Sequence, residues 1–421
     1  MSSPNDLSVA EALAAVLAGV SVLPTERVPL LDALGRILAA PVVARDSLPP
    51  FANSSMDGYA IRAADLAGAS VQSPCPLRVV ADIAAGLVTE VVIGPGQAAR
   101  IMTGAPLPAG ADAVVPVEDT DEQWRGAERP LPPTIHISRA VQPGDYVRHI
   151  GEDIQAGQSV IPAGHALRPQ EIGVLASLGV AEVSVVRRPR VAILATGDEL
   201  IPVEHPLTPG KIRNSNSYAQ AAQVLALGAQ PILLGVARDE EADVRRCLQR
   251  GLEAGVDLFI SSAGVSVGAY DVVRAVLEAE GAVGFWRVRM RPGKPLAFGR
   301  YGGVPYIGLP GNPVSALVSF ERFARAAILR MAGHTRLERP RVPALLLDEI
   351  HSDGRESYVR AVVRRGENGR YQATTTGSQG SHIMTSLVKA NALLIVPEGV
   401  RFVPAGAELI AWMLDWPETV F

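Results

Sequence analysis

Between Arg190 and Gly333 the chain alternates apolar runs with amphipathic helical patterns, and this alternation restricts the fold more than any other feature. The runs Val191–Ala195, Pro231–Val236, Leu258–Ser261 and Val304–Ile307 read as strands. Helices are expected to begin near Ser217, Asp239, Asp271 and Asn312. Val244, Cys247, Leu248 and Leu252 share one helical stripe, and Val314, Leu317, Val318 and Ile328 follow the same period. Alternation of this length predicts a multi-domain α/β protein with a parallel sheet covered by helices on both faces. Ligands of such folds bind at the carboxyl ends of the strands, so chemistry is expected in the loops that follow them.

The flanking sequence has a different texture. Ser8-Val9-Ala10-Glu11 is a capping-box pattern, and Val9, Leu13, Val16 and Leu17 recur at helical spacing until Gly19. A second helix is expected through Leu30, Leu34, Ile37 and Leu38, ended by Pro41, Pro49 and Pro50. From Asn53 to Tyr146 short Val/Ile runs alternate with Gly/Pro turns: Leu77–Ala81, Glu90–Ile93, Ala113–Val117 and Thr134–Ile137. Pro169 to Leu178 reads as helix, Arg339-Pro340 as a linker, and Arg341 to Phe421 as a small β domain with strands at Ala344–Leu347, Val359–Val363 and Leu393–Val396. The expected division is an elongated, discontinuous domain (1–52 and 141–180), an inserted β-rich domain (53–140), an α/β domain (181–335) and a C-terminal β domain (340–421).

A length of 421 residues allows two to four domains at ~100–200 residues each. Acids outnumber bases 43 to 39, which argues against nucleic acid as the main partner. Cys75 and Cys247 cannot form a disulfide framework or a CxxC zinc site and fit a reducing cytosol. The first residues carry Asp6 and Glu11 without a basic n-region, unlike a signal peptide. No apolar run reaches about 18 residues, so no membrane span is expected. The expected location is cytoplasmic.

Several loops have chemical potential. Ser261–Gly268 is rich in small residues, which let backbone approach a ligand, and its Gly264, Ser266 and Gly268 also match the Gly-x-Ser-x-Gly nucleophile elbow of a serine hydrolase. His334, His351 and His382 lie downstream, but no HGGG-type oxyanion loop is present. In Leu309-Pro310-Gly311-Asn312-Pro313, Asn312 reads as an N-cap and Pro313 as a first-turn residue. Arg291-Pro292-Gly293-Lys294-Pro295 places two cations in a stiff loop suited to an oxyanion, or to solvent alone. Asp198, Glu199, Asp239 and Asp271 fall at strand ends and helix starts, where carboxylates hold Mg²⁺ beside phosphates; Asp239 and Asp271 read equally as caps. Asn53–Ala60, Arg100–Pro106 and Thr374–His382 complete the set.

Taken in order, these loops together with Gly151-Glu152-Asp153-Ile154 resemble the MoeA family, which includes the gephyrin E domain. The resemblance spans nearly the whole chain. It implies a three-layer α/β molybdopterin-binding domain, an elongated N-terminal domain interrupted by a β-rich one, and a C-terminal β domain. The activity it implies is that of a molybdopterin molybdenumtransferase: molybdate is inserted into adenylylated molybdopterin, with metal-dependent release of AMP. Magnesium or another divalent ion would be held by Glu199, Asp239 and Asp271. Asp57, Thr103 and Asp153 would join them as catalytic groups, the Asp57 and Asp153 side coming from the second subunit of a homodimer. Gly264, Ser266, Gly268, Pro310, Asn312 and Pro313 would bind the pterin phosphate. Arg291, Lys294, Arg360 and Ser381 would form an oxyanion pocket for molybdate. Transient contacts with other cofactor-biosynthesis proteins or molybdoenzymes are also implied, with neither nucleic acid nor membrane as partner. The sequence departs from the family pattern at Ala263, Ala269 and Arg291. A serine hydrolase acting through Ser266 and a non-catalytic binding scaffold are the alternatives.

Overall fold

The computed structural model describes residues 6–122, 130–262 and 272–416. Contacts divide the chain into two compact units: one contains the residues up to Ala39, Ala166–Arg168 and those from Val183 onward, the other Ala40–His165 and Pro169–Glu182.

The first unit is built on a seven-stranded sheet ordered Asp6–Leu7, Gly281–Val288, Pro295–Tyr301, Val304–Leu309, Leu258–Ser262, Arg190–Thr196 and Gln230–Ala237. The last four strands are mutually parallel, as the alternation predicts. Alternate residues of these strands face opposite ways. Val191, Ile193, Leu258 and Ile260 pack with Val9, Val16, Val224, Val314, Val318 and Ile328, which lie on helices of one face. Ala192, Leu194 and Phe259 pack with Val244, Cys247, Leu248, Val273, Val276 and Leu277 of the helices Glu241–Glu253 and Val272–Glu280 on the other. Burial on both sides explains why these strands read as continuous apolar runs.

The sheet extends beyond the expected strands. Gly281–Val288 and Pro295–Tyr301 pair antiparallel with each other and with Val304–Leu309. A Cβ at Gly299 would collide with the Ala282 carbonyl across the ladder. Glycine there permits close strand approach rather than a turn.

The C-terminal strands Arg341–Leu346, Glu356–Arg365, Tyr371–Thr375, Ala392–Val396 and Glu408–Met413 form a sheet in which Glu356–Arg365 pairs with both Tyr371–Thr375 and Ala392–Val396. The sheet therefore closes on itself around Val342, Ala344, Ala361, Val363, Leu394 and Ala411. Met290–Arg291 adds a short parallel strand beside Glu356–Ser357, which ties the basic loop to this barrel.

The second unit carries a five-stranded sheet ordered Ala113–Pro116, Gly58–Ile61, Gln97–Ile101, Cys75–Ile83 and Thr134–Ile137, and the helix Pro169–Ser177. Cys75 is half-buried, Cys247 buried, and both are free.

Local signals succeed and fail for identifiable reasons. The capping box at Ser8 and Glu11 forms in full and starts the helix Val9–Ala18. The helix expected through Leu30–Leu38 does not form. Thr25–Pro29 is a strand, Leu30–Ala33 a single 3₁₀ turn, and Gly35 has φ +75°. The left-handed Gly35 breaks the run: Leu34 before it is exposed, whereas Ile37 and Leu38 after it are buried. Glu90–Ile93 is irregular, with Val92 exposed and only Ile93 buried. Two glycines of the second unit provide a test. A Cβ on Gly58 would collide with the Val115 carbonyl, whereas one on Gly173, inside the helix Pro169–Ser177, meets nothing within 4 Å. Gly58→Ala should lower the thermal midpoint, and Gly173→Ala should raise stability by about 0.5–1 kcal/mol. Differential scanning calorimetry measures both.

Candidate active site

A cavity of about 620 Å³ opens where the loop 291–295, the start of the helix at Pro313, and the barrel segments 349–360 and 375–381 converge. Among the described residues it is lined by Arg291, Lys294, Arg355 and Arg360 against a single carboxylate, Glu349. Pro310, Asn312, Gln379 and Ser381 complete the wall.

Arg360 is the most constrained of these. It lies on the barrel strand Glu356–Arg365 and is 1% exposed. Its Nε donates to Ser386 Oγ at 3.0 Å and its Nη2 to the Gly380 carbonyl at 3.1 Å. Among the described residues it forms no ion pair with a carboxylate. Burial, followed by repulsion from Arg291, brings its pKa down to about 10. Gln379 clamps the neighbouring turn to the same strand: Arg360 N–H donates to Gln379 Oε1 at 2.9 Å, and Gln379 Nε2 donates back to the Arg360 carbonyl at 3.2 Å.

The other walls are positioned by backbone. Gly293 has φ +111°, and a Cβ there would collide with Ser319 Oγ, so the basic loop packs directly on the helical segment behind it. Asn312 occupies the N-cap position of the helix Pro313–Ser319 but makes no side-chain capping bond, contrary to the expectation. The Val314 N–H instead donates to the Ser381 carbonyl at 3.1 Å, which joins the helix start to the hydroxyl-rich turn and leaves the Asn312 side chain on the cavity wall. Asn216 Nδ2 holds the Gly311 carbonyl at 2.8 Å.

Arg355 grips Asp353 through Nε and Nη2 and donates from Nη1 to the Met290 carbonyl at 3.0 Å. Arg291 Nη1 stands 3.7 Å from the same carboxylate. These cations, Arg355 foremost, hold the Asp353 carboxyl at about 2.

A second cavity, of about 730 Å³, lies at the carboxyl ends of Arg190–Thr196 and Gln230–Ala237, lined by Asp198, Lys211, Asn214, Ser217, Tyr218 and Arg238 among others. Gly197 has φ +140°, and a side chain there would run into the Glu199 carboxylate. Asp198 and Asp239 face each other reciprocally, each backbone N–H 3.4 Å from the other's carboxylate. Asp239 is therefore not a cap: the helix starts at Glu241, and Asp243 takes the Arg238 N–H at 2.9 Å. Among the described residues no three His, Cys, Asp or Glu side chains converge as a metal site. Gly264, Ser266, Gly268 and Asp271 lie outside the described residues.

In the second unit Asp57 and Thr103 meet as the paired loops suggested. Asp57 Oδ1 accepts the Thr103 N–H at 2.7 Å and its hydroxyl at 2.8 Å. Asp153 is exposed, in a turn fastened by its N–H to the Leu48 carbonyl at 3.0 Å.

The structure thus brings Arg291, Lys294, Pro310, Asn312, Arg360 and Ser381 to one cavity, with Pro313 opening the helix behind it. Glu199 and Asp239 belong to separate strand ends of the same sheet. Arg355 lines the cavity without having been singled out; His351, considered only for a hydrolase triad, and Gln379, within the Thr374–His382 turn, line it too. Only the tertiary contact of Arg355 with Met290 reveals its place.

The architecture is that of a multi-domain α/β protein: a three-layer α/β sheet is joined to a closed barrel, and the barrel buries a guanidinium that has no carboxylate partner among the described residues. Sequence comparison is specific. Residues 7–179 match the MoeA N-terminal region (domain I and II), 192–330 a probable molybdopterin binding domain, and 343–414 the MoeA C-terminal region (domain IV). The chain is 42% identical over 397 residues to molybdopterin molybdenumtransferase 2 of Mycobacterium tuberculosis, covering 92% of this chain and 94% of that protein. It is 40% identical to the molybdopterin molybdenumtransferase of Nostoc, covering 93% and 89%. The crystal structure of the molybdopterin biosynthesis MoeA protein from Pyrococcus horikoshii superposes with a TM-score of 0.80 at 31% identity, over 97% of this chain and 99% of that one. The chain belongs to the MoeA family of transferases in molybdenum cofactor biosynthesis. Neither the Ser266 hydrolase nor the scaffold reading is favoured by these matches. Among the described residues no helix is long and apolar enough to cross a membrane.

The Asp353 contact has a defined pH signature. Its folded pKa lies below the usual value of 3.8, so its contribution is present above that value and is lost as pH falls through about 2. Asp353→Asn should flatten this part of the acid-unfolding curve, measured by circular dichroism between pH 4 and 2.

Proposed function

We propose that this chain inserts molybdate into adenylylated molybdopterin, releasing AMP and molybdenum cofactor. The observation that carries the reading is the burial of Arg360 without a carboxylate partner, beside Arg291 and Lys294, in a cavity that also holds Ser381. Molybdate is a tetrahedral dianion, and charge-assisted donors from separate walls suit it. Arg360 and Ser381 supply donors from the barrel, Arg291 and Lys294 from the basic loop, and Pro310, Asn312 and Pro313 shape the neighbouring wall. Gly264, Ser266 and Gly268 would contribute to binding of the pterin phosphate.

Glu199 and Asp239, with Asp271, offer only oxygen donors, which suits a hard divalent cation such as Mg²⁺. Such an ion, when bound, supplies positive charge beside the phosphoanhydride. Asp239 is free for this because it does not cap its helix. Asp57 and Thr103 form a rigid carboxylate–hydroxyl pair, and with Asp153 they would act on a substrate held by a second subunit of a homodimer. This reading carries with it the division into 1–52 with 141–180, 53–140, 181–335 and 340–421, a cytoplasmic location, and transient contact with other cofactor-biosynthesis proteins or molybdoenzymes.

The deciding experiment is AMP release from adenylylated molybdopterin with and without molybdate. Molybdate-dependent formation of cofactor supports the reading; hydrolysis indifferent to molybdate overturns it. Arg360→Ala should weaken molybdate use by about tenfold or more, since a charge-assisted bond is worth about 1.5–3 kcal/mol, while pterin binding is retained. A loss of pterin affinity with molybdate use intact would misassign Arg360. Asp271→Asn should abolish metal-dependent adenylate cleavage yet leave the thermal midpoint near that of the wild type, because asparagine caps a helix as well as aspartate does. Cleavage at the wild-type rate would reduce Asp271 to a cap. Sedimentation should give about twice the chain mass of 44.3 kDa; an active monomer would remove the shared site.

A further inference from the structure

A third cavity, of about 520 Å³, has no part in the chemistry above. Arg36, Arg187, Arg188, Arg325, Arg336 and His334 line it, and among the described residues no carboxylate does. Its size falls in the range of small-molecule sites, about 300–1,000 Å³.

The charge on this wall is only partly balanced. Arg36 pairs with Glu26, and Arg187 binds Asp257 through two bonds of 2.9 and 2.6 Å. Arg325 stands 3.8 Å from Glu321, which is held more closely by Arg339 at 2.7 Å. Arg188 and Arg336 are exposed and have no ion pair among the described residues. Nε of Arg36 and Nε of Arg325 are buried without a hydrogen-bond partner. The carboxyl-terminal ends of the helices Ser215–Ala226 and Arg325–Met331 reach the cavity at Leu225–Gly228 and at Leu329 and Ala332. Each end contributes roughly half a negative charge, less than the two unpaired guanidiniums supply. An excess of positive charge therefore faces the space. Its remaining wall is apolar, formed by Leu34, Leu225 and Leu329.

We propose that this cavity is a second oxyanion site, binding a phosphate-bearing small molecule through Arg188, Arg336 and Arg325. Guanidinium groups recognise phosphate oxygens through paired N–H donors, and several converging ones select a dianion over a monoanion. The apolar wall accommodates the organic part of a phosphate monoester. Occupation would act at the far ends of two helical segments whose amino-terminal ends border the other two cavities: Asn214 and Ser217 at one, Asn312 and Ser315 at the other.

His334 reports on the site. Burial, and then Arg325, hold its pKa below the ordinary value. A bound dianion offsets Arg325 and stabilises the imidazolium, so the pKa should rise.

The test uses the full chain labelled at histidine ring carbons, with the His334 resonance assigned from His334→Gln. Inorganic phosphate and a nucleoside monophosphate are titrated separately, without metal or pterin, at millimolar concentration. The expected result is a His334 shift to higher pKa that saturates. It should weaken by about tenfold or more in Arg188→Ala/Arg336→Ala, on the strength of charge-assisted bonds, and persist in Arg360→Ala, whose defect belongs to the molybdate cavity. Both altered residues of the double variant are exposed, so its far-ultraviolet circular dichroism should match the wild type. Tighter binding of the nucleotide identifies an organic phosphate as the ligand, and equal binding identifies the free ion; either supports the oxyanion site. Absence of a His334 shift with both probes overturns it, as does a shift of equal affinity in the double variant.

Discussion

An arginine buried to 1% exposure, with no carboxylate partner among the described residues, is the constraint around which the cavity beside the barrel is organised. Taking a guanidinium out of water costs several kcal/mol unless hydrogen bonds and opposite charge replace the lost hydration. Arg360 receives a hydroxyl and a carbonyl, Ser386 Oγ and Gly380 O, but its charge meets another cation, Arg291. The closed barrel makes this arrangement possible. Pairing on both edges of Glu356–Arg365 satisfies its backbone, and Gln379 fastens the adjoining turn, so the side chain has little freedom to swing into solvent. The protein thus keeps a buried positive charge that no carboxylate among the described residues balances.

The same economy governs the neighbouring loops. The Asn312 side chain is released from capping because Ser381 supplies the acceptor for the first helical N–H. Asp239 is likewise released because the following helix begins at Glu241 and Asp243 satisfies the Arg238 N–H. In both cases a residue type that ordinarily caps a helix start does not do so, and Asn312 lines the cavity instead. Gly293 and Gly197 work with them: one brings the basic loop against Ser319, the other makes room for the Glu199 carboxylate.

How far the sequence foreshadows this depends on the range of the interaction. The parallel strands were legible because burial on both faces writes an unbroken apolar run, and the Ser8 capping box because it closes within four residues. Leu30–Leu38 imitated a helix because apolar spacing does not reveal that Gly35 turns the chain into the left-handed region, leaving Leu34 exposed while Ile37 and Leu38 are buried. The strands Gly281–Val288 and Pro295–Tyr301 were hidden by glycines whose reason is close contact across the ladder. Arg291 and Lys294 stood out as paired cations in a stiff loop. Arg360 entered through family resemblance, although a lone charge inside the apolar run Tyr358–Val363 was a local sign available to be read. Arg355 had no such sign, since its place is set by the Met290 carbonyl, 65 positions away.

Helix direction gives a physical connection among the three cavities of the first unit. Ser215–Ala226 begins beside the strand-end carboxylates and ends at the arginine-lined cavity; the helical segments from Pro313 to Met331 begin at Arg360's cavity and end at the same place. The amino-terminal ends, partly positive, thus border the strand-end cavity and the cavity of Arg360. The carboxyl-terminal ends, partly negative, lie where the unmatched arginines gather, and each cluster of side-chain charge is tempered by the dipole that reaches it. Phe320–Ala324, a π-turn between Pro313–Ser319 and Arg325–Met331, interrupts the second path. Ser319, immediately before it, has a buried hydroxyl without a partner and lies against the basic loop at Gly293.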